Sequence, residues 1–236
     1  MIILTAAVAV NPSVVATVVD TSQRFDQYLR AVADWRRIAD AVECDLAVVE
    51  TSGYSTKEWS QKGAICLSHI PTDEIATRGK GAIEAFALDM AIQELDLDAG
   101  LTIHKVTGRL MLRNWQALVL PTKERQVRIR RTIDRSYCDT RFFSLSAGEW
   151  SRTFTGMADE VRDQRGVYLE HVVAQRLVES EYKGEMCVER FPTRPALVGV
   201  SGTSGRSYGS ALKRGLAKAL GPVETELARR SASKQI

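Results

Sequence analysis

The chain has 236 residues, of which 44% are hydrophobic and 26% are charged, so it is long enough to bury a substantial core as a globular protein. Its net charge of +3 is too small for a dedicated nucleic-acid binder. The cysteines are far apart and form no CxxC pair, which excludes zinc-ligand spacing and favours a reduced, cytoplasmic protein. They are Cys44, Cys66, Cys138 and Cys187.

The first half of the chain, residues 1–115, alternates apolar runs with amphipathic segments. Its apolar opening is too short to span a bilayer and is typical of a strand covered on both faces. Apolar residues such as Tyr28, Val32 and Trp35 then recur at helical spacing. The predicted elements are a strand at 2–10, a helix ending near 41, strands at 45–50 and 63–68, a helix at 82–95 and a strand at 101–106.

The second half is less regular. A basic run at 123–135 is interpreted as solvated loop or helix surface, because Glu124 and Asp134 interrupt it. Across residues 116–208 we predict strands at 117–120, 139–145 and 197–201 and helices at 154–163 and 167–178, and across 209–236 a basic helix at 210–220 and a tail.

The order of these elements predicts an α/β fold with a doubly wound, mostly parallel sheet. No Pro-, Gly- or Ser-rich linker divides the chain, so residues 1–236 are expected to form a single domain. In such sheets the ligand crevice lies at the carboxyl ends of the strands. Functional residues are therefore expected just after the strands.

The first polar cluster in such a place includes Glu50 and Ser52, which close the second predicted strand. A carboxylate and hydroxyls before a glycine turn suit a nucleoside, although a plain turn explains the same residues.

The second cluster is Arg78, Gly79, Lys80 and Gly81, with Glu84 one turn into the following helix. Backbone amides, the positive end of the helix and two cations meet here, which predicts an anion site. The pattern is neither a Walker loop nor a dinucleotide fingerprint. A glycine-rich loop with solvated charges is the alternative.

The third cluster is Lys105, Thr107, Gly108 and Arg109, at the end of the fourth predicted strand. Two cations beside a hydroxyl and a glycine suit a diphosphate. The neighbouring His104 is interpreted as a core residue of the sheet.

Two further groups complete the predicted site. Asp139 and Arg141 pair a carboxylate with a guanidinium, as a structural or a catalytic pair. Ser201 and Thr203 lie in a loop of small residues that either closes over a diphosphate or only connects two elements.

Taken in order, the motifs Glu50-Thr-Ser-Gly-Tyr54, Arg78-Gly-Lys-Gly81, Lys105-Val-Thr-Gly-Arg109 and Ser201-Gly-Thr-Ser-Gly205 resemble a group of bacterial polysaccharide-biosynthesis proteins. The resemblance implies a small glycosyltransferase of GT-A type, with a Rossmann-like nucleotide-sugar-binding fold. It covers most of the chain, from about residue 2 to residue 208.

The resemblance also places Lys105 to Arg109 where metal-dependent GT-A enzymes carry an Asp-x-Asp motif. This sequence has no carboxylate pair there, so we expect Lys105, Arg109, Arg78 and Lys80 to offset the diphosphate charge in place of a metal. Mg²⁺ or Mn²⁺ stays an alternative cofactor. An Asp-x-Asp sequence does occur at Asp96-Leu-Asp98, but it lies in the connection before the predicted strand and is a disfavoured metal site.

Glycosyl transfer by inversion also needs a carboxylate that takes the proton of the acceptor hydroxyl. Asp139 is the preferred catalytic base, and Glu84 and Glu170 are the alternatives.

The predicted function is therefore transfer of a sugar from a nucleotide-sugar donor to a saccharide or lipid-linked acceptor in polysaccharide biosynthesis. The C-terminal basic helix either packs on the domain or contacts the inner face of an anionic membrane. The alternatives are a non-catalytic sugar-nucleotide or phosphate-binding protein and a nucleotidyltransferase of similar fold, which needs two carboxylates to hold magnesium. RNA binding at the basic run is disfavoured because no aromatic residues alternate with its cations.

Overall fold

A computed structural model describes residues 1–9 and 20–200, together with the backbone of residues 207–208. The strands are β1 (Ile2–Ala6), β2 (Leu46–Glu50), β3 (Ile65–Ser68), β4 (Thr102–Thr107), β5 (Leu110–Leu112), β6 (Gln126–Arg131), β7 (Cys138–Ser146), β8 (Cys187–Glu189), β9 (Leu197–Val200) and β10 (Ser207–Tyr208). The helices are α1 (Thr21–Ala41), α2 (Lys57–Ser60), α3 (Asp73–Arg78), α4 (Lys80–Glu94), α5 (Ala147–Thr153) and α6 (Leu169–Tyr182). Short 3-10 turns occupy Trp115–Ala117, Met157–Asp159 and Asp163–Arg165.

The main sheet has seven strands in the order β3-β2-β1-β4-β7-β6-β8. Its pairs are parallel except for those of β7, which runs antiparallel to both β4 and β6. A smaller antiparallel sheet has the order β10-β9-β5. The predicted α/β fold with a mostly parallel sheet is confirmed.

Helices cover both faces of the main sheet, as a doubly wound fold requires. On one face, Ile3 and Ile103 pack in the same cluster as Leu88 of α4 and residues of α5 and α6. On the other face, Leu4 packs with Trp35 of α1. Because neighbouring strand residues point to opposite faces, the continuous apolar run of β1 is buried on both sides, as predicted.

The helix predicted to end near residue 41 is α1. Its first turn is capped by the Asp20 side chain, which accepts a hydrogen bond from the Gln23 amide. Its apolar stripe is anchored by Trp35, whose indole Nε1 donates to the Leu110 carbonyl over 2.8 Å. This contact ties α1 to the small sheet.

Two predicted elements are wrong. Residues 117–120 form no strand, because the 3-10 turn Trp115–Ala117 and a following turn occupy the segment. A short apolar run does not by itself distinguish a strand from a helical segment. The helix predicted at 154–163 lies earlier, as α5, where the Ser146 hydroxyl accepts from the Glu149 amide over 3.2 Å and starts the helix.

The prediction that the basic run at 123–135 is loop or helix surface is wrong for its middle part, because residues 126–131 form β6 inside the main sheet. Its arginines bond to neighbouring parts of the fold. Arg128 Nη1 donates to the Pro121 carbonyl over 2.8 Å, and Arg131 Nη1 lies 2.6 Å from Glu181 Oε2 on α6. These cations fix the packing of β6.

The predicted strand at 2–10 is shorter in the structure and ends at Ala6. The basic helix predicted at 210–220 lies outside the described residues. In the part of the chain that is described, no helix has the length and apolar character needed to cross a membrane.

Candidate functional site

The main sheet reverses its winding direction between β1 and β4. Strands β2 and β3 lie on one side of β1, whereas β4 and the later strands lie on the other. In open α/β sheets a ligand crevice forms outside the carboxyl ends of the strands at this switch point. The residues that end β1 and β4 therefore define the candidate site.

These two strand ends are held very close together. Thr5 of β1 and Thr107 of β4 are register partners, and the Gly108 amide donates to the Thr5 carbonyl over 2.9 Å. A Cβ atom on Gly108 would lie 2.5 Å from that carbonyl oxygen. Only glycine permits this approach of the two backbones.

A buried ion pair lies beside these strand ends. Lys105 Nζ is 2.5 Å from Glu84 Oε1, and their side chains are 1% and 14% exposed. The ammonium also donates to the Thr140 carbonyl over 2.6 Å and to the Thr107 hydroxyl over 3.3 Å, so each of its three donors has an acceptor. The Thr5 hydroxyl donates to Glu84 Oε1 over 2.7 Å.

The ion pair keeps Glu84 ionised. Burial by itself raises the pKa of Glu84, but the charges of Lys105 and Lys80 and the hydrogen bonds from Lys105 and Thr5 outweigh burial and hold that pKa below its ordinary value. A general base works best with a pKa near the working pH. Glu84 is therefore better suited to positioning Lys105 and Thr5 than to accepting a proton.

The predicted anion site at the start of α4 is filled by a carboxylate of the chain itself. The Gly81 amide donates to Asp163 Oδ2 over 3.1 Å. Gly79 adopts a φ of +117°, and a Cβ atom there would lie 2.4 Å from the same carboxylate oxygen. Burial raises the pKa of Asp163, although the amides of Gly81 and Lys80 and the charge of Lys80 oppose it.

The cations predicted to meet a diphosphate have different environments. Arg78 ends α3 and pairs with Glu74 and Asp159. Lys80 is the exposed first residue of α4, on the same helix as Glu84. Arg109 is buried and turned towards α1, where its Nη1 donates to Gln27 over 2.9 Å.

The predicted nucleoside contact at Glu50 is used by the chain's own backbone. Glu50 is fully buried, and its carboxylate accepts from the amides of Val8, Ser52 and Tyr54 over 3.0, 2.8 and 3.1 Å. The Ser52 hydroxyl donates to the same carboxylate. This arrangement fixes the loops after β1 and β2 next to the switch point, as the turn interpretation expects.

Asp139 and Arg141 form a two-bond ion pair. Arg141 Nε and Nη2 donate to the Asp139 oxygens over 2.7 and 2.6 Å, and Arg130 lies 3.9 Å away. Burial raises the pKa of Asp139, but the hydrogen bonds and charge of Arg141 and the charge of Arg130 hold it below the ordinary value. The role of Asp139 as the base stays a prediction, and this pairing argues against it.

Glu170 is the remaining carboxylate of the three considered from the sequence. It lies in the first turn of α6, and its Oε1 accepts from the Thr140 hydroxyl over 3.1 Å. The backbone carbonyl of the same threonine accepts from Lys105. Thr140 therefore links Glu170 to the switch point, a role that no sequence motif indicated.

Two parts of the prediction concern residues or groups that the structure does not test. Ser201 and Thr203 lie outside the described residues. Among residues 1–9 and 20–200, no three His, Cys, Asp or Glu side chains are grouped to hold a metal. Asp96 and Asp98 precede β4 and so lie near its amino end, away from the candidate site.

The fold and the site define an α/β protein with a buried polar cluster at the switch point of its sheet. No protein-family model matches the chain, and no curated protein matches it. Among solved structures, the chain is similar to a protein assigned as a nucleotide-diphospho-sugar transferase from Desulfovibrio desulfuricans G20, with 14% identity over 80% of this chain and 78% of that one, at a TM-score of 0.47. It is also similar to mouse xyloside xylosyltransferase 1, with 9% identity over 80% and 84% of the two chains, at a TM-score of 0.41. Neither likeness is close enough to assign an activity.

Proposed function

We propose that the chain is a glycosyltransferase that takes its sugar from a nucleotide-sugar donor and binds the donor diphosphate at the β1/β4 switch point. The observation that carries the proposal is the cluster of Thr5, Glu84, Lys105 and Thr107 at that point. An open α/β sheet binds its ligand there. Hydroxyls and charges at the site suit a polar, phosphate-bearing ligand better than an apolar one.

Within this proposal, Lys105 is a positioning residue. Its three donors are used by Glu84, Thr107 and Thr140, so it holds α4, β4 and β7 together at the switch point. Lys80 is exposed and close enough to influence the pKa of Glu84. Its ammonium is the cation that stabilises the negative charge growing on the leaving diphosphate.

Glu170 is the proposed base for the acceptor hydroxyl. In the described part of the chain it lies in no ion pair, and it accepts its hydrogen bond from a neutral hydroxyl, that of Thr140. Asp139 and Glu84 are instead held by cations. Glu170→Gln should therefore keep donor binding and lose transfer, whereas Asp139→Asn should mainly weaken the ion pair with Arg141.

One observation favours a second candidate function, that of a non-catalytic phosphate-ligand-binding protein. Both carboxylates first predicted to be catalytic are engaged in ion pairs that lower their pKa values. A binding protein has no need of a free base. Donor turnover separates the two functions, since a transferase releases the nucleotide and a binding protein does not.

A thermal-shift screen tests donor binding. The purified protein is melted with UDP-, GDP-, CMP- and dTDP-sugars, each with manganese or with EDTA, because a ligand that binds the native state raises Tm. We expect a selective rise that EDTA does not remove and that Lys80→Ala reduces. The matched control is Lys62→Ala, another exposed lysine, which lies before the amino end of β3. No rise in Tm with any donor would count against the proposal. So would an equal reduction of that rise in Lys80→Ala and Lys62→Ala.

A further inference from the structure

Three neighbouring aromatic rings, two of them exposed and one half-buried, form an aromatic surface where β7 and α6 begin. Tyr137 and Tyr168 are 39% and 46% exposed. His171 lies between them, with its ring centroid 5.7 Å from that of Tyr137 and 5.5 Å from that of Tyr168. Aromatic residues are usually more buried than this, and an exposed apolar group of this kind commonly marks a binding surface.

This aromatic surface lies at the start of two elements, β7 and α6, that also contribute to the candidate site. Glu170 stands between Tyr168 and His171 in the sequence, and its carboxylate accepts from the Thr140 hydroxyl. The Thr140 carbonyl in turn accepts from Lys105 at the switch point. The aromatic rings therefore lie at the start of the same two elements, β7 and α6, that carry Thr140 and the carboxylate proposed as the base.

We propose that Tyr137, Tyr168 and His171 form a saccharide-binding surface that holds the acceptor. The apolar C–H face of a sugar ring packs against an aromatic ring, while its hydroxyls need polar partners such as a carboxylate. The aromatic surface offers both within a few residues. Tyrosine also gives a large contact area with few rotatable bonds, so little entropy is lost on binding.

The neighbouring contacts agree with a saccharide as the occupant. The Tyr168 amide lies 3.3 Å from His171 Nδ1, which fixes the imidazole at the start of α6. The planes of the rings are inclined to each other by 77° and 38°, so the ring faces point in different directions. Glu170 lies in the same first turn of α6 as His171. The identification as the acceptor site rests on the proposed transferase function.

Saturation-transfer NMR with methyl glycosides of glucose, galactose, mannose and N-acetylglucosamine tests the proposal. We expect saturation of the ring C–H protons of at least one glycoside with the wild-type protein. Tyr168→Ala or Tyr137→Ala should reduce that signal at least fivefold. Tyr168→Phe, which keeps the ring, should retain it, and this separates loss of stacking from loss of fold.

A matched control lies at the other end of the same helix. Tyr182 is 93% exposed at the end of α6, so Tyr182→Ala should leave the signal unchanged. Absence of saturation in the wild-type protein, or equal loss in Tyr168→Ala and Tyr182→Ala, would overturn the proposal. So would a wild-type dimer that Tyr168→Ala makes monomeric, because the aromatic surface would then hold a second copy of the chain.

Donor binding keeps the two proposals distinguishable. The tyrosine variants should retain the thermal shift with the nucleotide sugar, since the donor occupies the β1/β4 switch point. Glycoside binding without any donor shift would defeat the transferase function and leave the saccharide surface standing. Donor binding without glycoside binding would overturn the saccharide surface and leave the transferase function standing. Saturation of nucleotide base protons that Tyr168→Ala abolishes would assign the aromatic surface to the donor and overturn the acceptor proposal.

Discussion

Removing one charge of the buried pair should destabilise the protein strongly. Glu84→Gln leaves the Lys105 ammonium, whose side chain is 1% exposed, without a countercharge in the interior. Breaking a buried ion pair from one side costs about 3–5 kcal/mol. For a chain of this length that corresponds to a fall in Tm of roughly 10 °C.

Urea unfolding followed by tryptophan fluorescence gives the free energies for a double-mutant cycle. Lys105→Met should also lower the free energy of unfolding. The double variant Glu84→Gln/Lys105→Met removes both charges, so its loss of unfolding free energy should be much smaller than the sum of the losses in the single variants. Asp34→Asn is the control, because it breaks a surface pair with Arg37 whose side chains are 36% and 78% exposed. Asp34→Asn should change the free energy of unfolding by less than about 1 kcal/mol.

The same pair predicts the response to acid. The pKa of Glu84 is lower in the folded than in the unfolded state, so the unfolded chain binds the proton first as the pH falls. The stability that the pair contributes is complete near neutral pH and is lost as the pH falls below about 4. Glu84→Gln should therefore show a shallower acid dependence. An unchanged unfolding free energy in Glu84→Gln, or strictly additive single variants, would refute the assignment of a stabilising buried pair.

Three further predictions follow from contacts at or near the candidate site. Gly108→Ala should lower the unfolding free energy by about 1–3 kcal/mol, because its Cβ would press on the Thr5 carbonyl oxygen at 2.5 Å; full stability in urea would contradict that packing. Glu50→Gln should cost about 1–3 kcal/mol in the same assay, since a buried carboxylate that accepts from several amides loses its charge; a neutral effect would mean that these bonds are weak. Burial lowers the pKa of His104 to about 3, so its NMR signals should not titrate between pH 8 and 5, and a midpoint near the ordinary histidine range would show that the ring is solvated.

In the first half of the chain, the four main-sheet strands and the two long helices were predictable from the sequence because each carries its own pattern, whereas the short α2, α3 and β5 were not predicted. The strand β1 is apolar at nearly every position, and α1 repeats apolar residues at helical spacing. The strands β5 and β8 have three residues each, which is too short for any periodicity. The strand β6 is rich in arginine, and its charge favoured an interpretation as solvated surface, whereas its cations bond to the preceding loop and to α6.

The candidate site was predictable only in part, because partners come from remote segments. The sequence singled out Lys105 and Glu84, but the contact between them depends on how α4 packs on the main sheet. The carboxylate of Asp163 reaches the start of α4 from 82 positions away and fills the anion site expected there. No local pattern indicates such a residue. Thr140 and the aromatic surface are likewise assembled by the tertiary fold.

Release of nucleotide from a nucleotide-sugar donor tests the central claim most directly. The protein is incubated with each donor, with and without the methyl glycosides, and free UDP, GDP, CMP or dTDP is measured. We predict slow release with one class of donor, acceleration by a glycoside, and loss of release in Glu170→Gln with the donor-induced rise in Tm retained. No release with any donor, under conditions where a donor binds, would contradict the transferase assignment and leave a binding protein.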